Sequence, residues 1–190
     1  FIIMSISSLN AVTQNNVAYT PSSQLSGTGR FVNAKPIQRL SFKNLFDWVK
    51  RSLFETKVNA VPAHKIPIVK LTKDVINQLP AGETSIIRLG HSSILVKIAD
   101  QLWLIDPVFA ERASPFKFAG PKRFHAPPIA MTDLPDIDGV IISHNHYDHM
   151  DEQSIKTLHK KVKHFVMPLG NAEQLASWGV PRNKLTELDW

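Results

Sequence analysis

The chain has 190 residues, 43% of them hydrophobic and 20% charged, which is ample for one globular core and marginal for two. It contains no cysteine, so a disulfide framework and a thiolate metal site are both excluded. Its 22 lysines and arginines against 16 acids give a net charge of +6, which favours anionic partners such as phospholipid headgroups or nucleic acid, or serves solubility alone.

The first 36 residues consist of an apolar start and a segment, residues 12–36, without helical or strand periodicity. The apolar start, FIIMSISSLNA, is either the remnant of a signal peptide or membrane anchor, or a disordered segment. Residues 12–36 are rich in Asn, Ser, Thr and Gly, which predicts a flexible arm. No later run approaches the roughly 18 uninterrupted apolar residues of a membrane span.

Residues 37–83 predict an amphipathic helix followed by a connector. Ser41 can cap a helix over 41–54 whose apolar stripe is Phe42, Leu45, Phe46, Val49 and Leu53. With its basic residues off the stripe, this helix either lies on a membrane surface or covers the protein's own core. Residues 55–83 contain three prolines and predict a connector with one short helix near Asp74.

From residue 84 onward, strands and helices alternate. SIIRL and SILVKI predict strands, and LWLID pairs with the second of them in a hairpin over 93–105 that turns at Asp100-Gln101. A proline-rich loop over 111–138 precedes GVIIS (139–143), a strand expected to be buried on both faces. Asp151 caps a helix with Ile155, Leu158 and Val162 on one face. HFVMP, NAEQLASW ending at Gly179, and LTELDW then predict strand, helix and strand, so the fold class is α/β.

The stretch ISHNHYDHMD, residues 142–151, holds three of the eight histidines directly after the apolar strand. Loops at the carboxyl ends of buried strands are where α/β folds place reactive groups. Imidazole and carboxylate ligands suit Zn²⁺. His144 and His146 point to one side of extended backbone and can share one ion, while Asp148 and His149 face a second position. Two ions about 3.5–4 Å apart can hold and activate a hydroxide.

Several segments resemble a known family. HNHYDH (144–149) resembles the metallo-β-lactamase superfamily signature. GRFVN (29–33), LGHSSILV (89–96), IDPVFAERASPFKFAGPKRF (105–124), LPDIDGVIISHNHYDHMD (134–151), VMPLG (166–170) and TELDW (186–190) resemble the N-acyl-phosphatidylethanolamine-hydrolysing phospholipase D family. This resemblance implies an αββα sandwich, with 84–190 as the N-terminal half of the domain, and two zinc ions in the complete site.

The resemblance also implies roles for single residues. His144 and His146 would bind one zinc, and Asp148 and His149, the predicted catalytic pair, would bind the other. Asp106 would support the metal loop from behind, or serve only as a turn before Pro107. His91 would approach the site, or be a buried, hydrogen-bonded histidine.

Substrate contacts are predicted for Tyr147, Lys122 and Arg123, with a solvated turn as the alternative for the last two. His125 stands where the family usually has arginine, which weakens a phosphate-binding role there. The family completes its site with a further histidine, an aspartate and a last histidine from the second half of the fold. This chain is therefore expected to be the front half of a domain and inactive alone.

The implied function is a zinc-dependent phosphodiesterase of phospholipase D type that uses metal-activated hydroxide on N-acyl-phosphatidylethanolamine-like lipids. The expected partner is a phospholipid at a membrane surface, and nucleic acid is not expected to bind. The protein could also form a homo-oligomer. The expected location is peripheral to a membrane or periplasmic and exported, with a cytoplasmic protein as the alternative. Two other functions stay open: a hydrolase of a lactone or another phosphodiester, and a catalytically silent, truncated metal-binding fragment.

Overall fold

The computed structural model describes residues 24–25, 31–32, 44, 46–47, 50, 61–114, 118, 120 and 122–189. The apolar start lies outside these residues, and so does most of the arm. Within the arm, β1 (Gln24–Leu25) pairs antiparallel with β2 (Phe31–Val32). The domain boundaries predicted after residues 36 and 83 remain predictions.

The amphipathic helix predicted over 41–54 is described at four positions, and all four are helical and exposed: Asn44, Phe46, Asp47 and Lys50. Phe46, a member of the predicted apolar stripe, is 70% exposed. Among the residues described, no helix combines the length and the apolar character needed to cross a membrane.

A six-stranded sheet lies within the unit Leu40–Leu188. In spatial order, which is also chain order, its strands are β3 (Ser85–Gly90), β4 (Ser93–Ile98), β5 (Gln101–Ile105), β6 (Ile137–Ile141), β7 (Val162–Pro168) and β8 (Leu185–Leu188). The first three pair antiparallel and β5 to β8 pair parallel. The helices are α1 (Lys73–Asn77), α2 (Glu152–Leu158) and α3 (Ala172–Ser177), with 3₁₀ turns at Met131–Asp133 and Arg182–Lys184. The α/β prediction is confirmed.

One face of the sheet carries the core. A row of directly paired residues crosses all six strands: Ile87, Leu95, Leu104, Val140, Phe165 and Leu185. Ile155 and Leu158 of α2 and Leu175 of α3 pack in the same cluster. Short helices such as these are marginal alone, so this burial holds them in place.

The opposite face is partly open in the described region. Trp103 lies across Gly139, where an added Cβ would come within 2.1 Å of the indole ring. Ile141, also on this face, is 38% exposed. The prediction that GVIIS is buried on both faces is therefore wrong at Ile141, because α2 and α3 both pack on the other face.

The β4–β5 hairpin is confirmed, with its turn one residue earlier than predicted. Ile98 pairs with Gln101, leaving a two-residue loop of Ala99 and Asp100. Both loop residues have positive φ, 49° and 58°. Such a type I′ turn matches the twist of the strands, and Asp100 tolerates this conformation better than Ala99.

The helix predicted after Asp151 is confirmed as α2. The Asp151 carboxylate accepts from Ser154 N at 3.2 Å and from Ala110 N at 3.3 Å, so it caps the helix and holds the loop after β5. Val162, predicted on the helix face, is instead the first residue of β7, although it is buried in the same core. The helix is too short to reach that position.

The remaining helix predictions are also confirmed. The short helix near Asp74 is α1, and the Thr72 hydroxyl caps it by accepting from Val75 N at 3.3 Å. The helix in NAEQLASW is α3, and the chain leaves it through Gly179 at φ +96°.

Candidate metal centre

Three loops meet at one edge of the sheet because β3, β5 and β6 run in the same direction. A polar residue stands just beyond the end of each strand: His91 directly follows β3, Asp106 directly follows β5, and Ser143 is the second residue after β6. His91 and Asp106 have positive φ, 47° and 44°. This uncommon left-handed backbone turns both residues sharply out of their strands.

Asp106 is the anchor of the histidine loop and is only 4% exposed. Its Oδ1 accepts from Ser143 N at 2.7 Å, and its Oδ2 accepts from the Ser143 hydroxyl at 2.7 Å and from His149 Nδ1 at 2.8 Å. A carboxylate only accepts, so His149 Nδ1 must carry the hydrogen. Nε2 of His149 then presents its lone pair to a metal. These hydrogen bonds show that Asp106 supports the histidine loop and does more than form a turn before Pro107.

His144 and His146 form the first half of the cluster. Nε2 of His144 and Nδ1 of His146 are 3.1 Å apart. Two imidazole nitrogens on one tetrahedral Zn²⁺ at about 2.0–2.1 Å would be separated by about 3.3 Å, so this pair fits a shared ion. Burial, then the neighbouring charges of His149 and His146, lower the pKa of His144. Its neutral, metal-binding form is therefore favoured.

His91, Asp148 and His149 form the second half. One ligand atom from each lies within 4.8 Å of the other two, so these three side chains could hold one ion together. Nε2 of His91 is 2.9 Å from Asp148 Oδ2, and His149 Nε2 is 3.7 Å from the same oxygen. Burial raises the pKa of Asp148, but the hydrogen bond from His91 and the charges of His149 and His91 outweigh it, so the pKa lies below 3.8.

The side chain of His91 is 54% exposed, so the buried alternative for it is wrong. The structure places His91 in direct contact with Asp148, beside the histidine loop. The rings of His144 and His149 are 4.0 Å apart, so the two halves form one cluster. The four predicted ligands therefore come together, with His91 beside them.

Two serines in this cluster were not predicted. Ser143 Oγ lies 2.9 Å from His144 Nδ1 and links that ring to Asp106. Ser92 Oγ donates to the carbonyl of Asp148 at 2.8 Å, which ties the β3–β4 turn to the histidine loop. Their adjacency to His144 and His91 in the sequence was the available signal.

The predicted substrate residues have different surroundings. Tyr147 is 56% exposed at the cluster. Lys122 forms an exposed ion pair with Glu111 at 2.6 Å, in agreement with a solvated turn. Arg123 is half-buried: its Nη2 donates to Val108 O at 2.9 Å, and its Nε and Nη1 are buried without a hydrogen-bond partner in the described structure. Burial lowers its pKa, and the charge of Asp151 opposes this.

His125 lies against the β3 end of the cluster. A Cβ added to Gly90 would lie 3.1 Å from Cε1 of His125, so the imidazole covers that glycine directly beside His91. Its Nδ1 is 2.8 Å from the carbonyl of Ala126 and donates to it. The ring is thereby fixed next to the cluster.

Comparisons with known proteins identify related sequences. Residues 103–190 match the family model described as "Beta-lactamase superfamily domain". The chain is 36% identical over 167 residues to an uncharacterized protein of Mycobacterium tuberculosis, covering 85% of this chain and 43% of the relative. It is 36% identical over 166 residues to N-acyl-phosphatidylethanolamine-hydrolyzing phospholipase D 1 of Caenorhabditis elegans, covering 80% and 44%. The chain thus spans less than half the length of these relatives.

Among solved structures, the chain is similar to the isothiocyanate hydrolase from Delia radicum gut bacteria. The identity is 25%, the TM-score is 0.45, and the match covers 55% of this chain and 41% of that one. The assignment rests on the sequence matches. With its six-stranded sheet and its His/Asp cluster at the carboxyl edge, the chain has at residues 103–190 a domain of the metallo-β-lactamase superfamily.

Proposed function

We propose that the whole protein is a zinc-dependent phosphodiesterase of phospholipase D type that acts on N-acyl-phosphatidylethanolamine-like lipids at a membrane surface. Water adds to phosphorus and the bond from phosphorus to the ethanolamine oxygen breaks, which yields a phosphatidic acid and an N-acylethanolamine. The observation that carries the proposal is the cluster of four candidate metal ligands at the sheet edge, His144, His146, Asp148 and His149, with His91 beside them. The similarity to the phospholipase D of Caenorhabditis elegans supports the choice of substrate.

Two zinc ions would be held in this proposal, one by His144 and His146 and one by Asp148 and His149. Bound zinc supplies Lewis acidity toward a phosphoryl oxygen and lowers the pKa of water to near 7. Asp106 fixes the tautomer of His149 through the 2.8 Å hydrogen bond. The hydrogen bond between His91 and Asp148 aims the carboxylate at the same space.

Cationic side chains beside the cluster support an anionic substrate. Arg88, Lys122 and Arg123 line the same groove as His91 and Asp148. The net charge of +6 and the exposed Phe46 of the 41–54 helix suit a protein peripheral to a membrane with anionic lipids.

The test uses purified full-length protein, loaded with zinc, and vesicles that contain N-acyl-phosphatidylethanolamine. We expect release of N-acylethanolamine that a chelator abolishes and that His146→Ala lowers at least a hundredfold. His164→Ala, an exposed histidine on β7, is the matched control and should keep wild-type activity.

Metallated full-length protein that leaves these vesicles intact would refute the lipid substrate. Turnover of a soluble phosphodiester or lactone without vesicles would then support a superfamily hydrolase with another substrate. Binding of well under two zinc ions, with no rescue by added zinc, would support a catalytically silent protein.

A further inference from the structure

A continuous hydrogen-bond path runs from Asp106 through Ser143 and His144 to His146. Ser143 Oγ lies 2.7 Å from Asp106 Oδ2 and 2.9 Å from His144 Nδ1. Nε2 of His144 in turn lies 3.1 Å from Nδ1 of His146. Each of these contacts needs one hydrogen atom between its two partners, so the positions of the hydrogens are linked along the whole path.

The direction of the path is fixed at its Asp106 end. A carboxylate has no hydrogen to donate, and His149 Nδ1 already donates to the same oxygen at 2.8 Å. The hydroxyl hydrogen of Ser143 must therefore point to Asp106, because two oxygens 2.7 Å apart without a hydrogen between them repel each other. A hydroxyl has only one hydrogen, so Ser143 Oγ accepts the hydrogen of His144 Nδ1.

This direction determines the tautomers of both histidines on the path. A neutral imidazole carries one hydrogen, so His144 with its hydrogen on Nδ1 presents a lone pair at Nε2. That lone pair accepts from His146 Nδ1, which must supply the hydrogen of the 3.1 Å contact. His144 is thus ready to bind an ion through Nε2. Nδ1 of His146 becomes a ligand only after it has lost its hydrogen and Nε2 has gained one.

We propose that Ser143 is a positioning residue that passes the orientation set by Asp106 on to His144, so that one buried carboxylate prepares a ligand in each half of the cluster. Asp106 acts on His149 directly and on His144 through the Ser143 hydroxyl. His146 is exposed at the far end of the path, and its tautomer changes when an ion binds. The inference rests on the metal binding in the proposed function and is independent of the substrate.

The test reads the tautomers directly in metal-free, full-length protein that contains ¹⁵N-labelled histidine. Two-bond ¹⁵N–¹H NMR correlations distinguish a hydrogen on Nδ1 from one on Nε2, and pH 8 keeps imidazoles with the usual pKa of about 6.5 neutral. We expect the hydrogen on Nδ1 in His144, His146 and His149. Addition of Zn²⁺ should move it to Nε2 in His146 and leave the other two tautomers unchanged.

Ser143→Ala removes the hydroxyl but keeps the backbone N–H that donates to Asp106 Oδ1 at 2.7 Å, so the loop stays attached. We expect a mixture of tautomers at His144, an unchanged His149, and a zinc affinity about 10-fold lower in a chelator competition titration. Ser143→Thr retains a hydroxyl and should restore both properties. Ser92→Ala is the matched control, because that hydroxyl also donates within the cluster, to a backbone carbonyl at 2.8 Å, and its loss should leave the His144 tautomer unchanged.

A hydrogen on Nε2 of His144 in the wild type, or on Nε2 of His146 before zinc is added, would overturn the inference. So would an unchanged His144 tautomer in Ser143→Ala, or an equal loss of zinc affinity in the alanine and threonine variants, since either result indicates a role in packing alone. The expected tautomers in a zinc-loaded protein that leaves N-acyl-phosphatidylethanolamine vesicles intact would support the inference and refute the proposed substrate alone.

Discussion

Substituting Asp106 by asparagine tests how the cluster is held. The change keeps the shape of the side chain and its tolerance for the φ of +44°. The amide oxygen can still accept from Ser143 N. The amide nitrogen, however, replaces the oxygen that accepts from His149 Nδ1 at 2.8 Å and from the Ser143 hydroxyl at 2.7 Å.

The magnitude follows from these lost hydrogen bonds. Two bonds to a buried carboxylate are removed, and each contributes about 1.5–3 kcal/mol, partly offset by new bonds to the amide. We expect the free energy of unfolding to fall by about 2–4 kcal/mol. His149 then loses the acceptor that keeps its hydrogen on Nδ1, so the Nε2 lone pair is no longer held free. Zinc affinity should fall by about 10- to 100-fold.

The assay is a competition titration of Zn²⁺ against a chromophoric chelator at pH 7, combined with urea unfolding of the metal-free protein. Asp138→Asn is the matched control, because Asp138 also accepts from a backbone N–H, that of Leu102 at 2.8 Å, but lies at the other end of β6. It should leave zinc affinity unchanged. If Asp106→Asn binds zinc as tightly as wild type does, the argument from the His149 tautomer is refuted.

Three further predictions concern stability. Gly139→Ala should lower the free energy of unfolding in urea by about 1–3 kcal/mol, because the added Cβ would lie 2.1 Å from the Trp103 ring. A smaller residue at position 103 should relieve part of this cost in the double variant, and strictly additive costs would contradict the overlap. Asp151→Ala should cost about 2–3 kcal/mol, since it removes a helix cap and leaves Ala110 N without its acceptor, whereas a loss below about 0.5 kcal/mol would show that the cap contributes little. Burial raises the pKa of Asp138, but hydrogen bonds from Lys163 and Leu102 N outweigh it and hold the pKa below 3.8. The stability that this carboxylate contributes is therefore present above that value and is lost as the pH falls through its folded-state pKa. The unfolding midpoints of wild type and Asp138→Asn, measured from pH 7 to pH 3, should therefore converge at the acid end, and a constant difference would contradict this assignment.

Sequence patterns were sufficient for the elements with strong local signals. The 2-residue alternation of SILVKI and the Asp151 cap depend on neighbours in the chain, so strands, hairpin and helix α2 were predictable. The cluster HNHYDH was predictable for the same reason, since its ligands lie within six residues of one another. The turn at Ala99 and Asp100 was displaced by one residue, because alanine gives no signal for positive φ.

Contacts between distant segments were decided by the tertiary structure alone. His91 and Asp148 are 57 positions apart, and only the parallel course of β3 and β6 brings them to 2.9 Å. The same edge places Asp106 behind His149, 43 positions away. The exposure of Ile141 likewise follows from which face the helices cover, and no local pattern encodes that. The sequence by itself thus determined the chemistry of the metal loop, and the packing of three strand ends determined which side chains hold it.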